Sequence, residues 1–326
     1  MTTYPFSPSG VDPPAGLTVA DAVRIATAIS AGRADSTRAL YGYAWHRWEQ
    51  WCAVRAAVPL PATPATVCAY LTERAEQGVS ISTINLSCAA IAHQHRSRGA
   101  QDPVAHEAVR QVRRGLRRTL GTAPRRPARP LTVAELRQIV TSIDPDTPQG
   151  ARDAALVLLG FASALRRSEL AALTLADIES QPGGLLLRVR RSKTDPERRG
   201  QVVGVARGQH PITDAVAALA TWTAVRGSEP GALFTSMRPG CPSLEPISGD
   251  AVARILKARA RAAGLTTDRI TAHSLRAGHV TTAAMAGVGL DRIAAQTRHR
   301  RLATLIEQYI RPAHALEFST SRDLGL

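Results

Sequence analysis

The chain has 326 residues, 44% of them apolar, and its 41 lysines and arginines against 26 aspartates and glutamates give a formal net charge of +15. That apolar share excludes a disordered chain, and the length allows two domains with cores of their own. The cationic excess favours a polyanionic partner, nucleic acid being the commonest. No run of about 18 apolar residues occurs, and the start MTTYPFSPSGVDPPAG lacks a basic stretch ahead of an apolar one, so a cytoplasmic protein is expected.

Residues 1–16, rich in Pro, Ser and Gly, read as a disordered tail, and residues 17–120 read as helices. Asp35 or Ser36 can cap a helix that carries Tyr41, Ala44, Trp45, Trp48 and Cys52 at helical spacing, a stripe that reads as core. Thr63-Pro64 opens the next, with Val67, Tyr70 and Leu71 apolar. Residues 80–93 carry Ile81, Ile84, Leu86 and Ile91. In the last, from about 104 to 120, Val109, Val112 and Leu116 form one face, and Arg110, Arg113, Arg114, Arg117 and Arg118 surround it. From Ala108 to Ala134 there are eight arginines and no acid, where a solvated face would interleave both signs. These five arginines, with Arg125 and Arg126, are expected to bind nucleic-acid phosphates.

Cysteines 52, 68, 88 and 241 form no CxxC pair and read as reduced, mostly buried thiols. Cys88, His93, His95 and His106 match no usual zinc spacing, so no metal is expected. His93 and His95 are expected near a helix end, on a surface with Arg96 and Arg98.

The segment GTAPRRPARPL, residues 121–131, holds three prolines and reads as an extended linker. Beyond it, Thr132 stands three residues before Glu135, a capping box that starts a helix. An apolar helix is expected at about 152–164 and a short one at 168–174, with Arg166 between them. Residues 184–191 and 200–205 read as two strands joined by turn material, which puts Lys193 near the start of a hairpin loop. A helix near 272–286 would carry His273 and Arg276 on one face. His299 falls in a polar break after a helix that ends near Thr297.

Tyr309 is the only tyrosine beyond residue 70. A phenol with a free pKa of about 10 needs a proton acceptor, and cations to neutralise the charge on a phosphate it attacks. Arg166, Lys193, His273, Arg276 and His299 could supply both without a metal.

In order and spacing, SALRRSEL (163–170), RRSKTD (190–195), HSLRAG (273–278) and RHRRLATLIEQYIRP (298–312) resemble the signature of the tyrosine recombinase, or phage integrase, family. In layout the chain is similar to the simple recombinases of the Cre and Xer type. The resemblance implies an α+β fold, mainly α with a small β-sheet: a helical core-binding domain over 17–120, a catalytic domain over 132–312, and a tail, 313–326, that docks on a neighbouring protomer.

The resemblance also implies roles. Arg166 and Arg276 would hold the non-bridging oxygens of the scissile phosphate, which planar guanidinium groups match. Tyr309 would attack phosphorus, giving a 3′-phosphotyrosyl link and a free 5′-hydroxyl. Lys193 would protonate the leaving oxygen, His273 would accept the tyrosine proton, and His299 would donate to the phosphate in the transition state. Glu169 would orient a neighbouring basic group. No cofactor is implied, and the partner would be duplex DNA with inverted-repeat half-sites, bound by a homotetramer on two duplexes. Two positions depart from the pattern: Arg298 stands where relatives usually have glycine, and His299 to Tyr309 is ten steps instead of nine. The competing readings are a type IB topoisomerase, which would relax supercoils, and a non-catalytic DNA-binding regulator.

Overall fold

A computed structural model describes residues 16, 18–32, 35–123, 127–190, 200–299, 301–307, 321 and 324. The chain divides into two compact units, Met1–Arg125 and Arg126–Leu326.

Five α-helices make up the described part of the first unit: α1 (Val19–Ala31), α2 (Asp35–Val54), α3 (Pro64–Glu76), α4 (Ile81–Ser97) and α5 (Glu107–Leu120). The aromatic stripe of α2 is core. Trp48 is fully buried, stacks on Trp51 with ring centroids 5.6 Å apart, and meets Tyr70 of α3 edge-on at 5.1 Å. Its indole N–H donates to Pro59 O, so the buried polar atom is satisfied. Thr63 caps α3 and Ser80 caps α4, each accepting from the backbone N–H three residues on. The side chains of Asp35 and Ser36 lie outside the described residues, as does the expected tail but for Gly16.

One expectation fails here: His95 is fully buried, not a surface residue. Its Nδ1 meets Ile91 O at 2.8 Å, and Ala62 N–H donates to its Nε2 at 2.9 Å. With one ring nitrogen facing an acceptor and the other a donor, the ring is a neutral tautomer that ties α4 to the segment before α3.

The second unit begins with α6 (Val133–Thr141), started by the capping box: Glu135 N–H donates to Thr132 Oγ1, and Thr132 N–H donates to Glu135 Oε2. Next come α7 (Pro148–Ser163), buried along nearly its whole length, and α8 (Arg167–Ala171). Strands β1 (Ile178–Gln181), β2 (Gly184–Val189) and β3 (Gln201–Ala206) form an antiparallel sheet in that order. In its register Leu185 faces Val205 and Leu187 faces Val203, and this alternate set is buried against the helical core, as a half-covered sheet requires. Helix α9 (Ala215–Arg226), the hairpin β4 (Thr235–Arg238) and β5 (Cys241–Pro246), α10 (Gly249–Ala262), α11 (His273–Met285), α12 (Leu290–Thr297) and α13 (Leu302–Leu305) follow. The mainly helical α+β class is as expected, with β1, β4, β5, α9 and α10 as additions.

Gly278 fixes how close α11 comes to the start of this unit. A Cβ there would lie 2.2 Å from Leu131 O. Leu131 N–H in turn donates to Ser274 O at 3.1 Å, so the first turns of α11 are pinned against the segment entering α6. Among the described residues no helix is long and apolar enough to cross a membrane.

Candidate active site

Helix α7 ends at Ala164, whose φ of 51° is left-handed, an uncommon conformation for a residue other than glycine. That turn aims its carbonyl into the interior, where Arg276 Nη1 donates to it at 2.7 Å. Arg276, in the first turn of α11, is 2% exposed, and its Nη2 also donates to Thr297 O at the end of α12. One guanidinium therefore ties together the ends of α7 and α12 and its own helix. Five N–H donors let arginine hold two carbonyls and still present others to a ligand.

Arg166 opens α8. Its backbone N–H donates to Glu169 Oε2 at 2.8 Å and its Nη1 to Glu169 Oε1 at 2.7 Å. Glu169 is itself buried, and its Oε2 also accepts from Arg298 Nη2 at 2.5 Å. Burial alone would raise this carboxyl, but Arg298 and Arg166 hold it below the usual carboxylate range.

His299 follows the turn after α12. Thr297 Oγ1 donates to Ile293 O, so at 2.6 Å it serves as acceptor for Nδ1–H of His299. Arg276 Nη2 lies 3.4 Å from Nε2 of the same ring. Burial, then Arg276, Arg166 and His273, push the His299 pKa down to about 4, so the imidazole is neutral near pH 7. His273, the first residue of α11, has an open solvent face, and its backbone N–H donates to Thr271 Oγ1. The protein behind its ring, with Arg276 and Arg166, lowers its pKa too, as a proton acceptor needs.

Arg166, His273, Arg276 and His299 are thus brought into one cluster. Lys193 and Tyr309 lie outside the described residues, as do Arg125 and Arg126. Helix α12 stops at Thr297 and α13 starts at Leu302, and Arg300 between them also lies outside the described residues.

In the first unit, Val109 of α5 is buried, and Arg110, Arg114, Arg117 and Arg118 are exposed. Arg113 is half-buried and donates to Asn85 Oδ1 of α4 at 3.0 Å, and Arg110 pairs with Glu107. With Ile81 and Asn85, Arg110, Arg113, Arg114 and Arg117 line a cavity of about 230 Å³.

The family model of the phage integrase family matches residues 129–315, more than half of the chain. The chain belongs to the phage integrase family. It is 29% identical over 282 residues to an integrase/recombinase XerD homolog of Selenomonas ruminantium, covering 85% of this chain and 82% of that one. To the Cre recombinase of Escherichia phage P1 it is 27% identical over 151 residues, 45% of this chain and 44% of that one. A lambda integrase dimer solved bound to a COC′ core site shares the fold with a TM-score of 0.61 at 19% identity, over 88% of this chain and 75% of that one. XerH recombinase, solved bound to palindromic difH substrate in a post-cleavage complex, gives 0.58 at 13% identity, over 81% and 72%. Family membership makes the chain a tyrosine recombinase, an enzyme that breaks and rejoins DNA strands. The sequence did not point to Ala164 or Thr297 as supports of this recombinase's site. Arg298 drew notice only as a departure from glycine.

Proposed function

We propose that this site-specific recombinase cleaves DNA with Tyr309, on a phosphate held by Arg166 and Arg276. The observation that carries this reading is the cluster of Arg166, His273 and His299 around Arg276. A phosphate there faces two guanidinium groups set in place before it arrives, so little reorganisation remains for the transition state. Tyr309 gives its proton to His273, and its phenolate attacks phosphorus. The bond to the 5′ oxygen breaks, and Lys193 protonates that oxygen. The 3′-phosphotyrosyl link keeps the phosphodiester energy, so a 5′-hydroxyl from another duplex can reverse the step. His299 is neutral before DNA binds. The incoming phosphate offsets the part of its pKa depression that Arg276 and Arg166 add to burial, which favours a protonated ring that donates to the transition state.

The exposed arginines of α5, with Arg125 and Arg126, supply sequence-independent affinity for the DNA backbone. The active assembly is a homotetramer on two duplexes, each carrying inverted half-sites, with residues 313–326 docking between protomers. Selecting bound sequences from random duplexes would give the site. Two duplexes carrying it should then exchange strands when mixed with the protein alone. Relaxation of a plasmid lacking the site, without exchange between sites, would overturn the reading in favour of a topoisomerase.

A further inference from the structure

Arg298 occupies a place that ordinary packing does not explain. Its backbone is left-handed, with φ 57° and ψ 44°, closing α12 through bonds from its N–H to Ala294 O and Ala295 O. Glycine adopts that conformation without steric cost, and any residue with a Cβ pays one. The side chain is also 4% exposed, and its Nε and Nη1 have no hydrogen-bond partner among the described residues. A strained backbone and two buried unpaired donors are both unfavourable. What offsets them is the Nη2 bond to Glu169 Oε2.

That bond meets the other side of the carboxylate that holds Arg166. Glu169 divides its oxygens, Oε1 to Arg166 Nη1, Oε2 to Arg166 N–H and to Arg298. Among the described residues, other charged groups stand near this carboxylate. Asp177, Arg188 and Arg190 line the same cavity of about 250 Å³, with Asp177 taken up by Arg190 and Thr174. Arg167 pairs outward with Asp250.

We propose that Arg298 is a positioning residue for the cleavage reaction: it anchors Glu169 so that Glu169 fixes the Arg166 guanidinium without neutralising it. Two cations share one carboxylate, so the trio keeps a net positive charge to offer a phosphate. Without Arg298, Glu169 loses one of the two guanidinium groups it is shared between, and more of its charge falls on Arg166. In acid the less stabilised carboxyl protonates, and Arg166 loses its anchor. Because Arg298 uses one of its terminal nitrogens, a lysine can replace most of its action, and a neutral side chain cannot.

This role rests on the assignment of Arg166 to the scissile phosphate, so the test has two independent readouts. Full-length wild type, Arg298→Met, Arg298→Gly, Arg298→Lys, Glu169→Gln and the double variant Glu169→Gln/Arg298→Met would be compared on a nicked substrate carrying the selected site. Arg298→Met and Arg298→Gly should slow cleavage about 10- to 100-fold, the scale expected when a reacting group is misplaced by roughly an ångström. Their rates should fall off at higher pH than wild type on the acid side, with DNA affinity within about twofold. Arg298→Lys should stay within a few-fold of wild type, and the double variant should cleave faster than Arg298→Met. Separately, thermal melts of the same proteins should show the two substitutions coupling, with the double variant more stable than either single. Arg298→Gly removes the backbone strain and guards against a variant that fails to fold. A cleavage rate and acid limb unchanged in Arg298→Gly, or losses in the double variant that simply multiply, would overturn the positioning role. Coupled melts in proteins whose Arg166→Ala variant still cleaves normally would instead overturn the phosphate assignment.

Discussion

Arginine is placed in opposite ways in the two units. On α5, Arg110, Arg114, Arg117 and Arg118 are exposed around a narrow apolar face. In the second unit Arg276 is 2% exposed and is fixed by the carbonyls of Ala164 and Thr297, and the side chain of Arg298 is 4% exposed against Glu169. An exposed guanidinium meets a phosphate in high dielectric, screened by salt, and contributes affinity wherever it touches. A buried one has already lost its water and its rotamer freedom during folding, so it contributes geometry at a single atom. On the proposed assignment, burial, more than residue type, separates DNA binding from DNA chemistry in this chain.

The comparison breaks first at the nucleophile. Tyr309→Phe removes one hydroxyl and no phosphate contact, so cleavage should fall below detection with gel-shift affinity unchanged. Arg276→Lys should lower the single-turnover cleavage rate about 10²- to 10³-fold, as loss of a preorganised donor does. Its affinity should change little, because a buried residue adds little to the salt-dependent attraction. The reverse pattern is expected on α5. Replacing Arg114, Arg117 and Arg118 together with alanine should weaken binding and make the slope of log affinity against log salt shallower by about 2.7 if each meets a phosphate. Cleavage at saturating protein should stay near wild type. An unchanged slope would remove α5 from the DNA-binding surface.

The smallest effect concerns His299. Its folded pKa of about 4 lies below the ordinary 6.5, so between those values the unfolded chain binds more protons than the native one. Its contribution to stability is therefore complete above pH 6.5 and is lost as pH falls toward 4. The ring is only half-buried, and solvent screening reduces the effect to about 1 kcal/mol, a few degrees in Tm. Replacing His299 with glutamine should flatten the acid side of the melting curve by that amount. His273 and His279, also lowered, would keep the remaining slope.

What could be read from the sequence was local. The Thr132 and Glu135 box, the β2–β3 hairpin and the α2 stripe each rest on neighbours within a few residues, where spacing determines geometry. Helix α9 was not legible, because AVAALATWTAVR offers hardly any polar face to set a period, and β1 and β5 are short and mostly exposed. His95 was misread from its neighbours Arg96 and Arg98, although its spacing from Cys88 and Ile91 puts it on the buried face of α4. Within the cluster, Arg166, His273, Arg276 and His299 were legible through motif order. The Glu169 to Arg298 pair spans 129 residues, and only the folded chain brings it together.

The central claim, a cluster of arginines and histidines around the buried Arg276 that serves one tyrosine, is tested most directly by where the DNA becomes attached. A nicked substrate carrying the selected site, with a labelled scissile phosphate, should trap the wild-type chain as a covalent adduct. Digestion and mass mapping should place the label on the peptide containing Tyr309 and on no other. Label on any other residue, or strand exchange with no protein-linked phosphate at any time, would contradict the account.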